Sequence, residues 1–291
     1  MTIARLTHSF VSPDFSYSVL QRSERRFRQK LAIFSELARP VKSNSFSVSD
    51  GTRIVWHETG AGRPLVLIHG FFSDADTNWI KYGHAELLAK AGFRVIMPDL
   101  RAHGNSDKPH DAAHYPLDIL ADDQFALIDH LGLNDFDLGG YSLGGRTVAR
   151  MLARGCKPRR ASISGMGLQG LTATGTRKTH FRNILTNLGQ HPKGSPEWMA
   201  EAFLKTSGGD PVALNLLLDS FVDTPADAIA AFHLPVAVIC GDDDNDNGSA
   251  EELAELLPNG KLLTVPGNHM SAVVKADLGQ AMVEALTGEA W

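Results

Sequence analysis

A serine stands between two pairs of glycines in the stretch Gly-Gly-Tyr-Ser-Leu-Gly-Gly, where an apolar run gives way to a helical pattern. A nucleophilic serine on such a strand-to-helix turn has a strained backbone, so the residues two before and two after it must be nearly bare. Gly140 and Gly144 meet that requirement, and the pattern predicts that Ser142 is a nucleophile. Gly145 is expected to let the helix approach the sheet, whereas the pattern gives Gly139 no separate role.

A serine hydroxyl needs a base to remove its proton, and the imidazole that does so needs an acid to orient it. In a fold of alternating strands and helices, the expected chain order is serine, acid, histidine, each following a strand. His269 follows the last predicted strand in a Pro-Gly-Asn-His turn and is the predicted base. Three adjacent aspartates, Asp242, Asp243 and Asp244, follow the preceding strand. Asp244, at the common spacing of three residues beyond Gly241, is the favoured acid; the other two remain alternatives.

Attack of the serine on a carbonyl carbon creates an oxyanion, which two preorganised N–H groups would stabilise. The N–H of Leu143 is one expected donor, because it follows the nucleophile at the first turn of a helix, where amides are unpaired. The second donor should lie in the loop after the apolar run PLVLIHG. The N–H of Phe71 is the predicted donor there, and that of Phe72 is the alternative.

The elements that must position these groups follow an alternating pattern from Ser45 onward. Two period-two stretches flank Asp50-Gly51 and predict a β-hairpin, because glycine tolerates the positive φ of tight hairpin turns. Short apolar runs then alternate with helical patterns as far as the last helix, which the sequence VVKADLGQAMVEAL forms. This order predicts an α/β fold, with a mostly parallel sheet covered by helices on both faces.

Two segments lack the alternation of strands and helices, and their limits define the predicted domains. Residues 167–232 carry helical patterns without a convincing strand, and we predict that they form a helical cap, or lid, over the sheet. The core is then formed by residues 46–166 and 233–291. Residues 1–45 form an N-terminal extension, in which residues 1–42 contain eight Lys and Arg against three Asp and Glu. Its basic amphipathic helix is expected to pack on the domain or to form a homodimer contact rather than to bind a membrane.

Composition narrows the possible partners and location. The 291 residues carry a net charge of −5, which gives no reason to expect a nucleic-acid partner. Cys156 and Cys240 are too few for a disulfide framework and have no metal-ligand spacing. No apolar stretch is long enough to span a bilayer or to form a secretory signal, so a cytoplasmic location is expected. No metal or organic cofactor is implied, and a small-molecule substrate is the expected partner.

Taken together, the motifs resemble those of the α/β-hydrolase superfamily from about Ser45 to Leu286. Besides GYSLGG, the run PLVLIHGFF resembles the oxyanion strand and loop of that family. Residues 99–109 are similar to its D-x-R-G-x-G-x-S-D segment, with Ala102 in place of the usual glycine. The resemblance implies an eight-stranded, mostly parallel sheet in which the second strand of the first hairpin is antiparallel, with a helical lid above the site.

Within this superfamily, the serine at 142 argues against the branches with an aspartate nucleophile, haloalkane dehalogenases and epoxide hydrolases. The HGFF loop and the cap resemble those of carboxylesterases, perhydrolases, lactonases and meta-cleavage C–C hydrolases. C–C hydrolases usually have a tryptophan directly after the histidine, whereas this chain has Met270, which disfavours C–C bond hydrolysis.

We therefore expect a serine hydrolase that cleaves carboxylic esters through an acyl-enzyme. The alternatives are a C–C hydrolase, lactonase or perhydrolase using the same triad, and a non-catalytic ligand receptor or interaction protein on this scaffold. An apolar substrate pocket is expected from aromatic side chains. The predicted substrate-binding residues are Phe72, Trp79 and Tyr141, with further candidates at Phe71, Phe181, Trp198 and Phe203.

Overall fold

An eight-stranded sheet forms the centre of the described part of the chain. The computed structural model describes residues 40–288; the predicted basic helix before residue 40, and its predicted dimer contact, lie outside the described residues. The strands are β1 (Lys42–Ser47), β2 (Arg53–Gly60), β3 (Arg63–Ile68), β4 (Phe93–Pro98), β5 (Asp137–Tyr141), β6 (Ala161–Ser164), β7 (Val236–Gly241) and β8 (Gly260–Val265). Residues 42–45, which we assigned to the N-terminal extension, therefore belong to the sheet.

The spatial order of the strands is β1-β2-β4-β3-β5-β6-β7-β8. β2 runs antiparallel to both of its neighbours, and the pairings from β4 to β8 are parallel. The predicted hairpin joins β1 to β2, and Gly51 in its turn has a φ of 83°. The mostly parallel sheet and the antiparallel second strand are thus confirmed.

Helices follow the strands as the alternating pattern predicts. They are α1 (His84–Lys90), α2 (Ile119–His130), α3 (Leu143–Ala153), α4 (Leu168–Thr172), α5 (Gly175–Thr186), α6 (Pro196–Thr206), α7 (Pro211–Leu217), α8 (Ala226–Ile229), α9 (Ala250–Leu256), α10 (His269–Ala272) and α11 (Ala276–Thr287). A π-helical turn spans Asp76–Ile80, and 3₁₀ turns span Ala112–His114 and Leu218–Ser220. None of the described helices is both long and apolar enough to cross a bilayer.

Both faces of the sheet are buried by apolar side chains. In β3, Val66 and Ile68 belong to one apolar cluster and Leu65 and Leu67 to another, and all four side chains are fully buried. Successive residues of a strand point to opposite faces, so this alternation places one cluster on each side of the sheet. A parallel strand covered on both faces needs such an uninterrupted apolar run, which is what the sequence PLVLI provides.

The segment between β6 and β7 contains helices α4 to α8 and no strand. On α5, the ring of Phe181 makes an edge-to-face contact with that of Phe71, with centroids 4.8 Å apart. Phe71 follows the end of β3, so this contact brings the helical segment over the carboxyl end of the sheet. We refer to residues 167–232 as the helical insertion.

A buried arginine joins the first hairpin to α2. Arg101 is fully buried, and its guanidinium donates two hydrogen bonds to the carboxylate of Asp123, at 3.0 and 2.8 Å. It also donates to the side chains of Asp50 and Thr52 in the hairpin turn and to the carbonyl of His114. A buried charge with this many partners holds three separate segments together, because removal of one member leaves the others unpaired.

We predict that Arg101→Met lowers the free energy of unfolding by about 3–5 kcal/mol, since two carboxylates lose their buried partner. The matched control is Arg94→Met, which breaks the partly exposed pair of Arg94 with Glu58 and should cost less than about 1 kcal/mol. Urea denaturation of both variants measures the difference. Equal losses in the two variants would contradict the role assigned to Arg101.

Candidate active site

Ser142 lies on a sharp turn between β5 and α3. Its φ of 54° and ψ of −114° are unusual for a residue with a side chain, and its N–H donates to the carbonyl of Ser164 at 2.8 Å. The predicted strained conformation is therefore present. A Cβ at Gly140 would overlap the carbonyl of Gly144, and one at Gly144 would overlap the carbonyl of Ile68 at the end of β3. Bare residues at both positions let the turn pack against the sheet.

The other two glycines of the stretch also have close neighbours. A Cβ at Gly145 would lie 3.0 Å from the side chain of Met166, in agreement with close packing of α3 on the sheet. At Gly139 it would lie 2.6 Å from the hydroxyl oxygen of Ser162 and 2.9 Å from Leu67. Gly139 thus has a role that the sequence did not reveal, because its neighbours come from adjacent strands.

The three side chains predicted to act together form a chain of hydrogen bonds. The hydroxyl oxygen of Ser142 lies 3.0 Å from Nε2 of His269, and Nδ1 of His269 lies 2.8 Å from a carboxylate oxygen of Asp244. Asp244 and His269 are buried, and Ser142 is half-buried. The chain separates these residues by 127 and 25 positions, so the carboxyl ends of three strands bring them together.

The geometry distinguishes the three adjacent aspartates. Burial by itself would raise the pKa of Asp244, but the hydrogen bond and charge of His269 outweigh burial and lower the pKa below its ordinary value. Asp244 is therefore ionised at neutral pH and can orient an imidazole N–H. Asp242 instead accepts a hydrogen bond from the N–H of Gly267 at 2.6 Å, and Asp243 is exposed.

The loop after β3 is held in place by two buried side chains. His69 accepts a hydrogen bond from the N–H of Leu100 at 2.9 Å, and its other ring nitrogen lies 2.8 Å from the carbonyl of Gly70. Burial lowers the pKa of His69, in keeping with a neutral ring that both accepts and donates. The side-chain oxygen of Asn78 accepts from the N–H of Gly70 at 3.0 Å. The backbone leading to Phe71 is thus fixed before a substrate arrives.

The two predicted oxyanion donors lie next to Ser142. Leu143 is the first residue of α3, and the first bond of that helix runs from the N–H of Arg146 to the carbonyl of Ser142, so the N–H of Leu143 precedes the helical ladder. Phe71 shares a narrow recess with Ser142 and Leu143. A Cβ at Gly70 would lie 3.4 Å from the Cβ of Ser142, which places the preceding residue of that loop against the serine.

Tyr141 supports the histidine as well as lining a cavity. Its hydroxyl donates to the backbone carbonyl of His269 at 2.6 Å, and its ring lies 5.4 Å from the imidazole, centroid to centroid. The sequence indicated only a substrate contact for this residue. No local pattern links it to His269, because the two lie 128 positions apart.

Two spaces adjoin Ser142 and His269. The larger of the two is a cavity of about 180 Å³ beside His269. Its lining comprises Gly70, Phe71, Ser73, Thr77, Asn78, Tyr82, Tyr141, Phe203, His269, Met270, Val273 and Val274. The smaller is a recess of about 10 Å³ beside Ser142. Tyr141, Phe71 and Phe203 therefore line a cavity, as predicted.

Two predicted substrate contacts are corrected by the structure. Trp79 is fully buried in the apolar cluster beneath the sheet, where its ring lies 6.3 Å from that of His84, so it cannot touch a ligand in either space. Phe72 is only 2% exposed, and its ring stacks behind that of Phe71 with centroids 4.5 Å apart. Trp198 is 38% exposed and lines neither space. Within residues 40–288, no three His, Cys, Asp or Glu side chains form a group that could hold a metal ion.

Comparison with known proteins agrees with this fold. A family model described as the alpha/beta hydrolase fold matches residues 63–172. The chain is 39% identical over 111 residues to a non-heme haloperoxidase of Rhodococcus erythropolis, covering 37% of this chain and 38% of that relative. It is 27% identical over 259 residues to the non-heme chloroperoxidase CPO-A1 of Kitasatospora aureofaciens, covering 78% and 92% of the two chains.

Among solved structures, an esterase from Exiguobacterium antarcticum superimposes with a TM-score of 0.70 at 19% identity, covering 84% of this chain and 99% of that one. The described residues thus have the alpha/beta hydrolase fold, and the family model for that fold matches residues 63–172.

We predict that Gly144→Ala lowers the free energy of unfolding by about 3 kcal/mol or more, because the added methyl group meets a backbone carbonyl that cannot rotate away. Gly175→Ala, at the start of α5, is the matched control: its Cβ would meet nothing within 4 Å, and its unfolding free energy should stay the same or rise by about 0.4–1 kcal/mol. Chemical denaturation gives both values. A Gly144→Ala protein as stable as the control would show that the turn is not tightly packed.

Proposed function

We propose that this protein is a serine hydrolase that cleaves carboxylic esters through an acyl-enzyme. The observation that carries the proposal is the chain of hydrogen bonds from Ser142 through His269 to Asp244, at 3.0 and 2.8 Å. The pKa of Asp244 lies below its ordinary value, so an ionised carboxylate stands behind the imidazole whose other nitrogen faces the serine hydroxyl.

The proposed reaction begins with attack of the Ser142 oxygen on the ester carbonyl carbon, while Nε2 of His269 takes the hydroxyl proton. The N–H groups of Phe71 and Leu143 donate to the oxyanion that results, and because the loop and the turn are already fixed, they need little reorganisation. His269 then gives its proton to the departing alcohol. Water, deprotonated by His269, attacks the acyl-enzyme and releases the acid and free Ser142.

The cavity beside His269 supports an organic leaving group of moderate size. Its lining is mainly apolar, and Met270 and Val274 at its edge are 51% and 39% exposed. A leaving oxygen must lie near Nε2 of His269 to receive its proton, so the alcohol part of the ester would occupy this cavity. Apolar walls favour an alkyl or aryl alcohol.

A second candidate keeps the same acyl-enzyme and changes only the acceptor. Hydrogen peroxide in place of water would attack the acyl carbon, release Ser142 and form a peracid. The relatives named non-heme haloperoxidase and chloroperoxidase favour testing this perhydrolase activity. Adding peroxide during ester turnover and measuring peracid against carboxylic acid distinguishes the two acceptors.

We predict that Ser142→Ala lowers kcat for ester hydrolysis by a factor on the order of 10⁴ to 10⁶, since the nucleophile is lost. Asp244→Asn should lower kcat by about 10⁴, because the amide cannot hold the imidazole in the required tautomer. Turnover of short-chain p-nitrophenyl esters measures both effects.

The matched control is Asp243→Asn, which makes the same change one residue away on an exposed side chain. Its kcat should stay within roughly twofold of the unaltered protein. Equal turnover by the Ser142→Ala protein would contradict the assigned nucleophile, whereas no turnover by the unaltered protein on a broad acyl panel would favour a non-catalytic receptor on this scaffold.

A further inference from the structure

One buried guanidinium beside Ser142 lacks hydrogen-bond acceptors within the described part of the chain. Arg146 lies one turn along α3 from the serine and is only 6% exposed. Its Nε and Nη1 atoms are buried without a hydrogen-bond acceptor among the described residues. A buried guanidinium normally has a carboxylate or carbonyl partner, because desolvation of an unpaired charge is costly.

The surroundings of Arg146 do not neutralise its charge. The guanidinium lies over the face of the Phe221 ring, 5.2 Å from the ring centroid. Asp223 is exposed and its carboxylate accepts a hydrogen bond from the N–H of Thr174. Burial lowers the pKa of Arg146 to about 10, so the group is still cationic at neutral pH. Among residues 40–288, Arg146 thus has the electrostatic attraction of Asp223 but no hydrogen-bonded counter-ion.

A second guanidinium faces the same recess. Arg177, on α5 of the helical insertion, lines it together with Arg146 and Ser142, and its charge depresses the pKa of Arg146 further. Arg177 makes only a long contact with the carboxylate of Asp246, at 3.5 Å, and lies over the ring of Phe181. Two like charges that converge beside a nucleophile favour an anionic ligand between them.

The recess lies on the acyl side of the proposed reaction. The leaving alcohol must lie near His269, which lines the larger cavity but not the recess. The acyl carbon must bond to Ser142, which lines the recess with the proposed oxyanion donor Leu143. The acyl chain therefore extends from Ser142 toward Arg146.

We propose that Arg146 binds a second carboxylate of the acyl group, so that the substrates are short esters of dicarboxylic acids with one carboxylate free. This inference rests on the proposed ester hydrolysis and specifies its substrate class. A guanidinium can donate two parallel hydrogen bonds to a carboxylate, which would satisfy the unpaired Nε and Nη1. Arg177 adds a second positive charge at the outer side of the recess.

The recess is small compared with the acyl chain that it would bind. Its volume of about 10 Å³ is enough for about one water molecule. Arg146 lies one helical turn from Ser142, a rise of about 5.4–6 Å along α3. A chain of about five carbons, as in glutarate, is about 5 Å long at ~1.3 Å per bond, which is comparable with this rise. Because the recess holds only about one water molecule, such a chain enters it only when the lining side chains move apart.

The test compares two esters of equal shape, monomethyl glutarate and the methyl ester of glutaric acid monoamide. The unaltered protein should hydrolyse the carboxylate ester with a kcat/KM roughly tenfold to a hundredfold higher, since hydrogen bonds to charged groups have about this strength. Arg146→Met keeps most of the side-chain volume and removes the charge. In this variant the ratio of kcat/KM for the two esters should fall to about one. Arg150→Met is the matched control one turn further along α3, where the arginine pairs with Asp118, and should keep the ratio.

Inhibition gives a second readout that needs no variant. Glutarate should inhibit hydrolysis of a neutral ester by the unaltered protein at least tenfold more strongly than its monoamide. The proposal would be overturned if the unaltered protein hydrolysed the two esters with equal kcat/KM, or if Arg146→Met left their kcat/KM ratio unchanged. Ester hydrolysis itself would still stand. Absence of turnover on every ester, or full turnover by Ser142→Ala, would instead overturn the proposed function itself.

Discussion

The close contact between the Ser142 turn and the end of β3 is the constraint on which the rest of the site depends. At Gly144 a single methyl group would overlap the carbonyl of Ile68, so α3 can begin only against a bare backbone. That contact fixes the serine and the first N–H of α3 relative to the loop that follows β3. His69 and Asn78 then hold that loop, in which Gly70 lies against the serine. The close packing of the turn therefore also fixes the positions of the groups in the site.

Two buried arginines illustrate how a charge can be used inside the fold. Arg101 is surrounded by acceptors from three segments, and its interactions stabilise the native packing. Arg146 is buried almost as deeply, yet two of its nitrogens have no acceptor among the described residues, and its guanidinium lies over an aromatic ring. The donors of Arg101 all find acceptors within the protein. The unpaired donors of Arg146 would find acceptors only on a bound anion, and because Arg146 lies beside Ser142, that anion would belong to the substrate.

Much of the fold followed from patterns that act over short distances. The alternation of apolar runs and helical periods predicted the mostly parallel sheet, and the turn residues Asp50-Gly51 predicted the first hairpin, because both depend on local backbone preferences. Ser142 and His269 were predicted because each follows a strand in a recognisable turn. The aromatic contacts were predicted less well: Trp79 and Phe72 proved to be core residues, since an aromatic side chain has the same sequence signature in a core and in a pocket wall.

The sequence by itself determined the strand order along the chain, the type of each reactive residue and the bare glycines that the serine turn needs. Only the tertiary structure decided which of three adjacent aspartates meets His269, why Gly139 must be bare, and that Tyr141 donates to the carbonyl of His269. It also showed that two nitrogens of Arg146 have no hydrogen-bond acceptor in residues 40–288. The physical reason is that local patterns fix the conformation of each segment, whereas hydrogen-bond partners and unpaired charges depend on distances between segments far apart in the chain.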